Sequence, residues 1–310
     1  MATVVECVPN FSEGRDRKKI EQIAAAIASV PEIALLDIHS DPDHNRSVIT
    51  FVGSLETAGE AAVRAVGRAA ELIDLNQHQG VHPRIGAADV VPFVAVEGVT
   101  SEDCVGVARR TAKEIWERLR IPVYFYGAAA LRPERVPLES VRRYGYERLR
   151  QMVEEEPAYQ PDLGGPRLHP TAGATLVGVR PFLIAFNVNL NSEDRQVARE
   201  IAGRVRSAGG GLPDVKALGL LLHSRHPGGL GAQAQVSMNL TDFEQTSLAE
   251  AFQAVEREAA RLGVTIQSSE LVGLVPQKAL AGVDIGALKL AGFDPGQIFE
   301  NRLATVRARH

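Results

Sequence analysis

The 310-residue chain has only two cysteines, one tryptophan, 5% aromatic residues and no excess of positive charge. Each shortage excludes something. Cys7 and Cys104 are too few for a disulfide framework and too far apart for a recognisable zinc motif, so a cytoplasmic location is expected. A net charge of −4 argues against a nucleic-acid partner, which needs a basic surface to neutralise phosphates. No apolar run reaches bilayer-spanning length, and the N-terminus lacks the basic segment and apolar core of an export signal, so no membrane partner is expected. Two glycine clusters, at residues 209–211 and 228–231, lack the strand-to-helix context of a phosphate-binding fingerprint and read as hairpin turns.

What remains is an ordinary folding composition, 45% apolar and 23% charged, in a chain long enough for two cores of roughly 150 residues each. Residues 4–8 read as a strand, followed by turn formers from Pro9 to Gly14 and a helix with Ile20, Ile23 and Ile27 on one face. Strands at 33–38 and 47–52 flank a polar loop, residues 39–46; a helix carrying Ala62, Val66, Ala69 and Ile73 and a strand at 90–96 complete a βαββαβ order. The order returns beyond Pro181, with strands at 182–190, 215–222, 234–240 and 264–267 and helices at 194–205 and 248–262. The βαββαβ unit is the ferredoxin-like arrangement, with helices on one face of an antiparallel sheet. Two such units leave two open sheet faces, free to pack together or enclose a ligand. Between the repeats, 101–119 and 139–155 read as helices and 122–126 as a strand; a helix is also read at 297–310.

Chemistry concentrates in His78-Gln79-Gly80-Val81-His82-Pro83-Arg84-Ile85-Gly86-Ala87-Ala88-Asp89, which combines two imidazoles, a guanidinium and a carboxylate. Pro83 biases His82 towards an extended backbone, and the flanking glycines permit sharp turns. An imidazole titrates near neutrality, and Arg84 two residues on suits a carboxylate or a developing negative charge. The alternative is that both residues cap a helix or bridge surface charges. Residues 157–173 are too rich in Pro and Gly for a regular element, so they form either a ligand-covering connector or a solvated linker.

Five segments taken together resemble one family. Val5-Glu6-Cys7-Val8-Pro9-Asn10-Phe11-Ser12-Glu13-Gly14, Asn45-Arg46-Ser47-Val48, His82-Pro83-Arg84-Ile85-Gly86-Ala87, Phe182-Leu183-Ile184-Ala185-Phe186-Asn187-Val188-Asn189-Leu190 and Glu270-Leu271-Val272-Gly273-Leu274-Val275-Pro276 are similar, in this order, to glutamate formimidoyltransferases, or formiminotransferases. The resemblance implies an α+β protein of two ferredoxin-like βαββαβ subdomains, residues 1–180 and 181–310, with sheets packed around a folate cleft. It implies transfer of a formimino group between N-formimidoyl-L-glutamate and tetrahydrofolate in histidine degradation, with tetrahydrofolate as co-substrate and a homodimer as the assembly. With the last matching motif about 30 residues before His310, a single-function form without the cyclodeaminase domain fused to the mammalian enzymes is expected.

By the same resemblance the catalytic histidine falls on His82. The family's folate-contacting segment falls on Gly164, Gly165, Pro166, Arg167, Leu168, His169, Pro170, Thr171, Ala172 and Gly173, with Ala172 where the mammalian pattern has an aromatic residue. His39 stands where compared members carry an acidic residue, although Asp37, Asp41 and Asp43 lie close by. Arg46 and Arg84 are candidates for the substrate carboxylates, and Arg167 or Lys216 for those of the folate; a salt bridge to Asp41 or Asp43 is the alternative for Arg46. Asn10 and Asn45 are secondary substrate-binding candidates that equally suit backbone caps, and Asn187 and Asn189 share one face of a strand. His44, His78 and His169 show no zinc-ligand arrangement, so no metal is expected. A formyltransferase or 5-formyltetrahydrofolate-handling enzyme on the same scaffold, or a non-catalytic folate-binding module, are the alternative functions.

Overall fold

The computed structural model describes residues 3–222 and 231–308. It divides into two compact units, Met1–Arg180 and Pro181–His310. The first unit opens with β1 (Val4–Cys7) and β2 (Asn10–Phe11), then α1 (Arg17–Ala28), β3 (Ala34–Asp41), β4 (Arg46–Gly53), α2 (Thr57–Leu72) and β5 (Ala88–Glu97). β1 and β2 both pair β4 on one side and β5 on the other, so they act as one strand interrupted at Pro9; β3 lies outside β4. The order β5, β1–β2, β4, β3 is antiparallel throughout and is that of a ferredoxin-like sheet.

The turn formers after Pro9 thus do not simply end a strand: Asn10 and Phe11 re-enter the sheet. Residues 39–41 continue β3, which shrinks the expected polar loop to a tight turn at 42–45. Asn45, at φ 47°, supplies the left-handed residue that closes it.

The first unit then goes beyond the expected repeat. α3 (Ser101–Leu119), β6 (Val123–Gly127), α4 (Glu139–Arg142), α5 (Gly145–Glu155) and β7 (Thr175–Val179) follow, and β7 joins β5 in parallel with β6 parallel beyond it. The sequence pattern does not pick out β7. Its Thr-Leu-Val-Gly-Val run is short and directly follows the irregular connector, so local pattern alone gives it little prominence. The expected helix at 139–155 is broken between Arg142 and Gly145, where Gly145 sits at φ +69°.

Helix boundaries follow local chemistry. Asp16 accepts from the Lys18 and Lys19 amides to start α1, and Thr100 and Asp103 form a capping box at α3. Ile20, Ile23, Ala24 and Ile27 of α1 are buried with the alanine-rich face of α2, and Val5, Cys7, Ile49, Phe51, Val91 and Phe93 supply the sheet side of this core.

The second unit is the plainer version. β8 (Ile184–Leu190), α6 (Arg195–Val205), β9 (Val215–Leu222), β10 (Gln233–Leu240), α7 (Leu248–Arg261) and β11 (Ile266–Val272) give βαββαβ with sheet order β11-β8-β10-β9, followed by α8 (Phe299–Arg307). β8 begins two residues later than expected and β11 runs on to Val272. Ile184, Phe186, Val188 and Leu190 face the core, while Asn187 and Asn189 point the other way. There Asn187 donates to Glu270 at 3.0 Å, and Gln235 donates to Asn189 at 2.9 Å. The expected turn at 209–212 is a one-turn 3-10 segment, Ser207–Gly209, that leads α6 into β9 rather than a hairpin. The glycine-tipped turn around 228–231 lies largely outside the described residues. Among the described residues no helix is long and apolar enough to cross a membrane.

One buried carboxyl makes the first unit sensitive to pH. Glu6 on β1 is 4% exposed, and burial, partly offset by Arg180, pushes its carboxyl from 4.5 up to about 7. Folding therefore binds a proton here, so the associated stability is present below pH 4.5 and is lost as pH rises through 7. Denaturant unfolding of wild type and Glu6→Gln between pH 4 and 8 should show wild type losing stability relative to the variant across this window. A pH-independent difference would contradict the assignment.

Candidate active site

Four segments converge at one end of the first unit's sheet. Ser12 donates through its amide to the Ala87 carbonyl at 2.9 Å and through its hydroxyl to the Gly86 carbonyl at 2.7 Å. On the other side, the Ala87 amide donates to Ala172 and the Ala174 amide to Ile85, at 2.9 and 3.0 Å. Asn45 joins the group, its Oδ1 accepting from Gly14 N and its Nδ2 donating to Gln79 O, each at 2.9 Å. The end of the 157–173 connector therefore lies against the loop that carries His82.

Two glycines permit this approach. A Cβ at Gly86 would lie 2.0 Å from the Ala174 carbonyl oxygen, and one at Gly173 would lie 2.1 Å from that of Ile85. Gly173 also sits at φ +70°, where other residues are strained.

His82 is half-buried. Its Nδ1 lies 3.0 Å from the Pro83 carbonyl and 3.3 Å from Arg142 Nη2, and its ring meets that of His44 edge-on at 5.7 Å. Burial, then the charges of Arg142 and Arg46 and the His44 ring, hold the imidazole well below the usual 6.5. It is neutral at pH 7, the form that can accept a proton. Arg46, at the start of β4, is pulled down to about 9 by burial and by the neighbouring Arg142. Its buried Nε has no hydrogen-bond partner among the described residues, while the carboxylates of Asp89 and Asp41 act on its charge through space and partly offset those two effects. Asp41 instead accepts from the Asp43 and His44 amides at 2.8 Å, which orders the turn.

The other candidates divide. Arg84 is committed to other partners: its guanidinium forms a two-point pair with Glu147 at 2.7 and 3.2 Å and donates to the Leu75 and His78 carbonyls. Asn45 is occupied as a backbone tie, and Asn10 donates to the Val8 carbonyl at 2.8 Å. His78 bonds the Asn45 carbonyl at 2.9 Å.

Within the connector, Gly164 lies against Trp116, Arg167 is exposed with Glu154 3.6 Å away, and Leu168 is buried in the core. Gly165 and Pro166 are exposed and joined by a cis peptide bond. His169 closes its own loop, with backbone bonds to Gly173 and Nδ1 accepting from the Ala172 amide at 3.0 Å; Pro170 accepts from Tyr146 and Thr171 from the Leu75 amide. Lys216 and Asn187 belong to the second unit. Among the described residues no group of three or more His, Cys, Asp or Glu side chains is arranged for a metal.

Sequence reasoning missed Arg142 and gave Asp89 no role. No carboxylate from the 37–43 segment bonds the His82 ring; Asp89 reaches it at one remove, through Arg142. Arg142 stands in an arginine-rich stretch with no local mark that sets it apart.

At this end of the first unit's sheet a neutral imidazole thus lies among two guanidinium groups and a second imidazole. Comparison with known proteins specifies the family. Residues 4–180 match the formiminotransferase domain, N-terminal subdomain, and residues 185–285 the formiminotransferase domain, so the chain belongs to the formiminotransferase family. It is 46% identical over 303 residues to a glutamate formimidoyltransferase of Thermoplasma acidophilum, covering 97% of both chains. A glutamate formimidoyltransferase of Streptococcus pyogenes serotype M1 is 44% identical, with 98% of this chain and 99% of that one covered. The formimidoyltransferase-cyclodeaminase of Mus musculus is 43% identical over 90% of this chain, which spans 51% of the mouse protein.

The backbone contact between residues 85–87 and 172–174 makes a direct prediction. Gly173→Ala must strain φ and displace the Ile85 carbonyl, at a cost of about 1–3 kcal/mol. Thermal unfolding should show the loss, and hydrogen exchange should show faster opening of the 78–89 loop; an unchanged melt would contradict the contact.

Proposed function

We propose that the chain is a glutamate formimidoyltransferase, which moves the formimino group of N-formimidoyl-L-glutamate to N5 of tetrahydrofolate and releases L-glutamate. Tetrahydrofolate is the co-substrate, no metal takes part, and the setting is histidine degradation in the cytoplasm, with a homodimer as the working assembly. The observation that carries the reading is the neutral His82 imidazole near Arg46, whose buried Nε has no hydrogen-bond partner among the described residues, in a chain 44–46% identical to proteins of this name over nearly its whole length.

The chemistry needs one mobile proton. The N5 lone pair adds to the formimino carbon, giving a tetrahedral centre that carries both amines. N5 then gives up its proton, and the carbon–nitrogen bond to glutamate breaks with its electron pair and a proton left on the glutamate nitrogen. His82 takes the first proton and supplies the second, and general acid–base help of this kind is worth about 10² to 10⁴ in rate. A ring that is neutral at pH 7 is ready for the first transfer. Arg46 holds a substrate carboxylate: a half-buried cation, crowded by Arg142 and with its Nε unbonded among the described residues, gains a charge-assisted bond when an anion arrives. Arg84, committed to Glu147, holds the loop. The 164–173 segment, fastened to that loop at its C-terminal end, lines the folate side.

His82→Ala should lower kcat about 10²- to 10⁴-fold, with KM for both substrates little changed. Arg46→Gln should raise KM for N-formimidoyl-L-glutamate about 10-fold or more, the worth of a bond to a charged group. The assay runs formimidoylglutamate and 5-formyltetrahydrofolate side by side with purified protein. Near-normal turnover by folded His82→Ala, or activity on the formyl compound alone, overturns the proposal.

A further inference from the structure

Arg142 lies 60 residues from His82 in sequence, at the end of α4, yet its guanidinium touches the His82 loop at three points. Nη2 pairs with Asp89 Oδ2 at 2.8 Å and approaches His82 Nδ1 at 3.3 Å, while Nε donates to the Pro83 carbonyl at 3.0 Å. The other oxygen of Asp89 accepts from the Ile85 amide at 2.7 Å. One carboxylate thus fastens Arg142 to the loop that bears the imidazole. The side chains are 11% and 4% exposed, so neither charge is readily left without the other.

Nδ1 therefore has two neighbours with opposite requirements. A guanidinium only donates, so its contact needs the lone pair on Nδ1; the Pro83 carbonyl only accepts, so its contact needs a hydrogen there. For Nε2 to accept a proton the ring's own hydrogen must sit on Nδ1 and face Pro83. Once Nε2 is protonated, the full positive charge lies beside Arg142. Among the described residues the remaining charged or titratable neighbours are Arg46 from β4 and His44 from the β3–β4 turn, and both also oppose that charge. Asp89, the carboxylate behind them, pairs with Arg142.

We propose that Arg142, clamped by Asp89, is a positioning residue for the transfer reaction: it fixes the His82 ring and drives the ring to release promptly the proton that it accepts at Nε2. The proton taken from N5 is passed from Nε2 to the departing glutamate nitrogen, and the ring returns to its neutral form with Nδ1–H facing Pro83. This rests on the reading of His82 as the proton carrier.

The test follows the His82 ring by NMR titration and, separately, kcat and KM against pH, in wild type, Arg142→Lys, Arg142→Gln and Asp89→Asn. Arg142→Gln should move the ring's titration and the acid limb of kcat to higher pH by about one unit, with KM within about threefold. Arg142→Lys, which keeps the charge but not the three contacts, should lower kcat with the limb nearly in place. Asp89→Asn, which leaves the guanidinium unbalanced, should move the titration to lower pH. The proposal is overturned by a titration that does not move in Arg142→Gln, or, if that variant does not fold, by unchanged kcat in Arg142→Lys with an unmoved titration in Asp89→Asn. NMR follows the ring without turnover, so failure of the proton-carrier role, seen in His82→Ala, remains distinguishable from failure of the Arg142 role.

Discussion

The site depends on one stretch of backbone, Ile85 to Ala87, hydrogen-bonded on one side to Ser12 and on the other to Ala172 and Ala174. These contacts join the end of β2, the lead into β5 and the lead into β7, three places far apart in sequence. A loop bonded on both edges has little freedom, which an imidazole needs if it is to meet a reacting nitrogen within hydrogen-bond reach. Glycine at 86 and 173 is required because carbonyl oxygens occupy the space a side chain would take.

On that frame the electrostatics are local and opposite in sign to the whole. The chain carries −4 overall, yet His82 is surrounded by Arg46, Arg142 and the His44 ring. Asp89 pairs with Arg142; Arg46, crowded by Arg142, feels Asp89 and Asp41 through space, and its buried Nε has no hydrogen-bond partner among the described residues. Burial first, and then the same two arginines, keep the imidazole neutral. Positive charge concentrated around a partly buried imidazole disfavours its protonated form.

The two units solve the same sheet problem differently. The second is a plain four-stranded βαββαβ whose non-helical face is lined by amides and a carboxylate bonded to one another. The first adds β7 and β6 in parallel beside β5, and the connector leading into β7 is brought against the His82 loop by that addition. The extra strands therefore serve the site as well as the core.

The repeated βαββαβ order, the helix starts at Asp16 and Thr100, and the weight of the 78–89 loop are set by local causes, namely apolar period, capping side chains, and proline and glycine placement. These are legible in the chain itself. So is family membership, because short motifs in fixed order survive in the linear sequence. The partners Arg84 takes, the break of the 139–155 helix and the arrival of Arg142 at His82 are different in kind. Arg84 and Arg142 are chemically the same, and which of them meets the imidazole depends on where Glu147 and Asp89 stand after the sheet has closed. Pairings across tens of residues leave no local mark, since charge acts through space and not along the chain; only the tertiary structure could decide them.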